Sequence, residues 1–209
     1  MEDLKSFTDP EGLFSITVPK RFFILRRSAK GDLPDEKTGQ GRRGSSIFTS
    51  GDMSKAEIVA VERFPVRALL EDAGVNASGD LSTFPKIGTP SGVASLILLR
   101  RDRDKVGQRP IGTISNPVYS SDGKTLTFSV SVQLDVQNPE LLYEQMGVRK
   151  LIRITSAKCT LDSNDGNVMG VFASALETDY DGNEGNYLRA CVDSFNVPDR
   201  SATLAVTGQ

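Results

Sequence analysis

Residues Thr125-Leu126-Thr127-Phe128-Ser129-Val130-Ser131-Val132-Gln133-Leu134 alternate polar and apolar side chains without a break. Successive side chains of a strand point to opposite faces, so this stretch predicts a strand with one buried face and one wet or loosely covered face. Ile111 to Ser120 reads as its partner, Ser121-Asp122-Gly123 as the turn, and Lys124 to Val136 as the second strand, stopped by Asn138-Pro139. A ribbon with one wet face belongs to an antiparallel sheet, because parallel sheets are covered on both sides.

The same grammar recurs on either side. Downstream, Lys150 to Leu161 and Val168 to Leu176 flank a turn at Asn164-Asp165-Gly166-Asn167. An acidic loop, Glu177 to Gly185, then precedes a helix over Asn186 to Phe195, with Leu188, Cys191, Val192 and Phe195 at helical spacing and Pro198 beyond its end. Glu140 to Met146 has room for one or two helical turns.

Upstream, Phe14 to Val18 alternates strictly and ends at Pro19, after a tight turn at Asp9-Pro10-Glu11-Gly12. Ser46 to Phe48 and Glu57 to Val61 read as strands turned at Gly51-Asp52. Pro65 opens a short helix through Leu69 and Leu70 to Gly74. After a loop over Val75 to Pro90, Ser91 is read as the cap of a helix from Val93 to about Arg103. Arg26 to Gly44 lacks periodicity and reads as a long mobile basic loop. Strands, a helix, a run of strands and a final helix make an α+β fold with a central antiparallel sheet flanked by helices. The expected organisation is a single domain over residues 1–200 with a loose tail over 201–209.

The chain has 209 residues, 38% of them hydrophobic, with no Trp, so the core must rest on Val, Ile, Leu and Phe. The longest compact apolar run, Val93 to Leu99, falls far short of the ~20 residues that cross a bilayer, which predicts a soluble domain. Met1-Glu2-Asp3 is acidic and no apolar core follows, unlike a signal peptide; a processed chain carrying an added Met is the alternative. Cys159 and Cys191 make no disulfide framework and read as small buried residues, with a Cys159–Cys191 bridge in an oxidising compartment as the alternative.

The chain contains no histidine. That removes the Ser–His and Cys–His nucleophile pairs, the usual proton shuttle near neutral pH and the commonest metal ligand. No GxxxxGK[ST] and no GxGxxG after a strand is present, so no catalytic residue, cofactor or metal ligand is assigned and the expectation is a binding protein rather than an enzyme. Two acidic segments, Asp162 to Asn167 and Asp179 to Glu184, resemble calcium loops, but Gly falls too early in both for an EF-hand. They read as a hairpin turn and a helix start, with weak calcium binding as the alternative.

The net charge is only −2, with no reason to seek nucleic acid, yet it is unevenly spread. Arg26, Arg27, Lys30, Lys37, Arg42 and Arg43 against three acids give the first loop +3. Arg100, Arg101, Arg103, Lys105 and Arg109 against Asp102 and Asp104 give a second +3, whereas residues 160–209 sum to −6. Arg26, Arg27, Lys30, Arg42, Arg43, Arg100, Arg101 and Arg103 are therefore the candidate partner-binding residues, as an electrostatic docking patch that steers a partner.

The stretch Phe7-Thr8-Asp9-Pro10-Glu11-Gly12-Leu13-Phe14-Ser15-Ile16-Thr17-Val18-Pro19 resembles the opening of PsbP-domain proteins, with Phe22 or Phe23 where that family often has Trp. The terminal helix closing in Val192-Asp193-Ser194-Phe195-Asn196-Val197 is similar to that family's end. The resemblance implies a non-catalytic extrinsic protein of photosynthesis in the chloroplast thylakoid lumen. Its partners would be membrane-embedded subunits of photosystem II, at the oxygen-evolving complex, or of photosystem I, as a subunit or an assembly factor. Metal sites in that family often use His, so none is carried over. A soluble regulator resembling the related Ran-GTPase-binding family, using an acidic face, is the second reading, and a small-ligand binder with a cavity beside the sheet is the third.

Overall fold

The computed structural model describes residues 4–27, 33–35, 37–39, 41–102, 112–162 and 165–198, with only the backbone described at Arg26, Arg27, Arg42, Arg43 and Asp102. In chain order the strands are β1 (Leu4–Thr8), β2 (Ser15–Pro19), β3 (Phe23–Arg27), β4 (Arg42–Asp52) and β5 (Glu57–Pro65). Helices α1 (Arg67–Glu71) and α2 (Pro90–Asp102) follow, then β6 (Gly112–Tyr119) and β7 (Thr125–Leu134). Helix α3 (Pro139–Met146), strands β8 (Leu151–Asp162) and β9 (Asn167–Leu176), and helices α4 (Glu177–Tyr180) and α5 (Asn183–Ser194) complete the chain.

Seven strands form one sheet in the order β3-β4-β5-β9-β8-β7-β6, every pairing antiparallel, and β1 and β2 form a separate hairpin. The pairing of β5 with β9, from Ile58 opposite Ser174 to Pro65 opposite Asn167, joins the two halves of the chain. Strand β9 is therefore central and buried on both faces. Met169, Val171, Ala173 and Ala175 point to one core and Val168 and Phe172 to the other. The first core also takes Leu188, Cys191 and Val192 of α5 with Ile16 and Val18 of β2; the second takes Leu69, Val93, Ala94 and Ile97 of α1 and α2. The result is three layers, α+β as the strand grammar requires.

The two ends of the chain meet. Ser15 pairs with Asn196, the Phe14 and Phe195 rings lie 5.9 Å apart, and the Thr17 N–H donates to Ser194 Oγ at 2.9 Å. Asp9 Oδ2 accepts from the Glu11 and Leu13 N–H groups at 2.9 and 3.2 Å, fixing the turn, and Gly12 takes a φ of +67°. Phe7 of β1 stacks on Phe48 at 4.5 Å. The aromatic opening motif is thus a clamp over the first core.

Several expectations are corrected. Residues 26–44 are not one loop: Arg26 and Arg27 belong to β3 and Arg42 to Gly44 to β4. Strand β3 escapes sequence reading because Phe23, Ile24 and Leu25 are exposed and the strand pairs with β4, from Phe23 opposite Gly51 to Arg27 opposite Phe48. Helix α2 starts at Pro90, with Thr89 Oγ1 accepting from the Gly92 N–H at 3.2 Å, earlier than the start expected after a cap at Ser91. Helix α5 starts at Asn183 rather than Asn186, and α4 stands inside the expected acidic loop. Of the two acidic segments, one is the β8–β9 turn and the other joins α4 to α5. Cys159 and Cys191 are small buried residues as expected; they lie in different cores on opposite sides of the sheet and form no disulfide. The tail over 201–209 lies outside the described residues.

Candidate interaction surface

The arginines at the end of α2 make contacts within the fold, and for Arg100 these replace the expected docking role. Arg100 is buried: its guanidinium donates to Asp72 Oδ2 at 2.7 Å and to the carbonyls of Thr38 and Gly39 at 3.1 and 3.4 Å, above the Phe64 ring. Arg101 Nε donates to Glu62 Oε1 at 2.8 Å, and the guanidinium lies 3.6 Å from the centre of the Phe172 ring. Both cations are neutralised locally and packed on aromatic faces. Arg100 cannot serve an exposed docking patch; it ties the 37–39 segment to α1 and α2. Lys30 and Arg103 lie outside the described residues.

Arg26, Arg27, Arg42 and Arg43 fall along one margin of the sheet, on edge strand β3 and its neighbour β4. Arg27 stands opposite Phe48, and Arg43 lies five residues further along β4, about 17 Å at ~3.3 Å per residue. The same margin carries what sequence reading missed. Phe23, Ile24 and Leu25 are 74, 47 and 45% exposed, and Met53 in the β4–β5 turn is 63% exposed. Their signal was present as an apolar triplet followed by Arg-Arg, but without alternation it gave no strand.

The opposite sheet edge differs. Strand β6 is broken by a register shift between Ser115 and Val118, with Asn116 at a φ of +53° and Pro117 next to it. A bulge and a proline blunt an edge against pairing; β3 carries a one-residue register shift of its own between Ile24 and Arg26, but no proline.

Beside Phe23, an ion cluster joins three segments. Arg21 contacts Glu57 Oε2, with Asp52 Oδ2 at 3.4 Å and Glu184 Oε2 at 3.2 Å, and Lys55 Nζ donates to Glu184 Oε1 at 2.7 Å. Among the described residues, three carboxylates face two cations here. Burial pushes the Glu57 carboxyl up in spite of Arg21, and its Oε1 has no hydrogen-bond partner among those residues. The Lys55 hydrogen bond holds Glu184 down. Among the described residues no group of three acids or cysteines is arranged to hold a metal.

Comparison with solved structures gives the fold a place. Cyanobacterial PsbP (CyanoP) from Synechocystis superposes with a TM-score of 0.55 at 13% identity, over 95% of this chain and 94% of that one. The Ran-binding protein Mog1p of Saccharomyces cerevisiae superposes with a TM-score of 0.52 at 10% identity, over 96 and 98% of the two chains. A point mutant of Mog1 gives 0.51 at 11% identity, with the same coverage. The chain has the PsbP/Mog1-like fold. No family model and no curated sequence matches it.

Proposed function

We propose that this chain is a non-catalytic protein-docking domain that engages its partner along the β3 margin, as an extrinsic protein on the lumenal side of a photosystem. One observation carries the reading: Phe23, Ile24 and Leu25 are exposed on an edge strand, beside exposed Met53 and in line with Arg26 and Arg27. An exposed apolar cluster rimmed by charge marks an interaction site, and an open edge offers its backbone for pairing with a partner's strand. The arginines along β3 and β4 would supply the steering field for an acidic surface. The photosystem reading is supported by the opening motif and by the fold shared with CyanoP. No helix among the described residues is long and apolar enough to cross a membrane, so the attachment would run through a partner protein.

The second reading, a GTPase-binding regulator, is favoured by the similar TM-score of Mog1p and by the carboxylate excess in the Arg21 cluster. Pull-downs separate the two. Retention by photosystem cores but not by a Ran-type GTPase, lost on Phe23→Asp with Leu25→Asp, is expected. Retention by the GTPase alone overturns the photosystem reading, and retention that survives the double substitution overturns the β3 margin.

A further inference from the structure

Beyond α2 the described residues cover the sheet face of the second core only in part, and they line a cavity of about 270 Å³. Its apolar walls include Ile58 and Ala60 of β5, Leu98 of α2, Val132 and Leu134 of β7, and Phe172 of β9. At roughly 30 Å³ for the share of one liquid water, 270 Å³ is the volume of about nine heavy atoms.

Arg153 of β8 stands in this apolar wall with Thr155 and Ser174, and Arg101 of α2 also borders it. The Arg153 Nη1 donates to the Ala56 carbonyl at 3.0 Å and to Ser174 Oγ at 3.2 Å. Those contacts hold one corner of the guanidinium and leave Nε and Nη2 without an acceptor among the described residues. The Nε–Nη2 edge is the planar fork that matches the two oxygens of a carboxylate. Arg153 also has no acidic partner among the described residues, unlike Arg101, whose charge is met by Glu62. Arg101, Arg153 and Glu62 therefore sum to one positive charge beside an apolar space. Burial weakens the hold of Arg153 on its proton, the mark of a cation that lacks its counter-charge.

We propose that this cavity binds a small organic monocarboxylate, its carboxylate on Arg153 and its hydrocarbon body among Ile58, Val132, Leu134 and Phe172. A monoanion balances the surplus charge, and an apolar body of about five or six carbons, with the three atoms of the carboxylate, matches the space and walls. The site lies on the α2 face of the sheet and stands or falls independently of docking by β3.

The test is a titration of the 15N-labelled full chain with hexanoate, and separately with hexanol, followed by amide shifts. Hexanoate is expected to give saturable shifts at Ile58, Ala60, Val132, Thr155 and Ser174, with hexanol at least tenfold weaker. Arg153→Met should weaken hexanoate about tenfold, one charge-assisted pair's worth, and bring it level with hexanol. Equal binding of hexanol and hexanoate by the wild-type chain overturns the proposal, and that comparison needs no variant to fold. Absence of saturable shifts, or shifts confined to other residues, overturns it as well.

Discussion

The guanidinium of Arg100 donates to Asp72 Oδ2 at 2.7 Å, and the two side chains are 3 and 11% exposed. The same group caps the carbonyls of Thr38 and Gly39 and lies over the Phe64 ring at 5.1 Å. An arginine that reads from sequence as surface charge is thus the fastener of the second core. Breaking a buried pair by removing one partner strands the other charge, which costs about 3–5 kcal/mol. Arg100→Met is therefore expected to lower the urea midpoint strongly, whereas Arg101→Met, at the partly exposed Glu62 pair, should cost about 1 kcal/mol. Equal losses in chemical denaturation would remove the distinction.

Gly39 faces the same guanidinium. Its φ is +63°, and a Cβ there would stand 2.6 Å from Arg100 Nη2 and from Pro65 Cδ. Gly39→Ala combines left-handed strain with a clash, and should destabilise the fold by more than about 1 kcal/mol. Gly12→Ala is the control, with φ +67° and open space around the new methyl, and should cost less. Thermal melts of both variants check the order.

Docking along β3 makes a different prediction. Phe23→Asp with Leu25→Asp alters exposed side chains, so partner binding should fall at least tenfold while stability stays within roughly 0.5 kcal/mol per site. Co-sedimentation beside a thermal melt reads both. A large fall in Tm would show that Phe23 and Leu25 are structural.

Arg42→Glu with Arg43→Glu should weaken binding without lowering Tm, and salt at ~0.5–1 M should release the wild-type protein, because exposed charges are screened within a few ångströms there. Retention at high salt would mean that the apolar triplet alone holds the partner.

The Arg21 cluster supplies a pH dependence. Glu184 titrates below its ordinary value of 4.5 because Lys55 and Arg21 hold its ionised form. A carboxyl lowered in the folded state contributes stability that is present above 4.5 and is lost as pH falls through its folded value. Glu184→Gln should therefore be less stable than wild type at pH ~7, and the gap should close in acid below pH ~4. A gap that is constant with pH would show that the loss is one of packing.

Much of the architecture was legible in local pattern. The alternation from Thr125 to Leu134 fixed β7 and its wet face, and the Asp-Gly turns fixed the hairpins of β6–β7 and β8–β9. Each is a contact between near neighbours, so the residues that specify it are adjacent in sequence. The helix at Asn183–Ser194 was visible for the same reason, through its apolar spacing. What the sequence could not hold was long-range pairing. That β5 lies against β9 is set by register between residues far apart in the chain, with Val61 opposite Val171. Strand β3 exists because Phe23 to Arg27 find hydrogen bonds on β4, and the exposed side chains of Phe23, Ile24 and Leu25 offer no buried face to announce it. The fate of each arginine was likewise a tertiary decision. Arg100 and Arg153 look alike in a string of letters, and only folding placed Asp72 beside one and an apolar cavity beside the other, because a charge takes its role from what surrounds it.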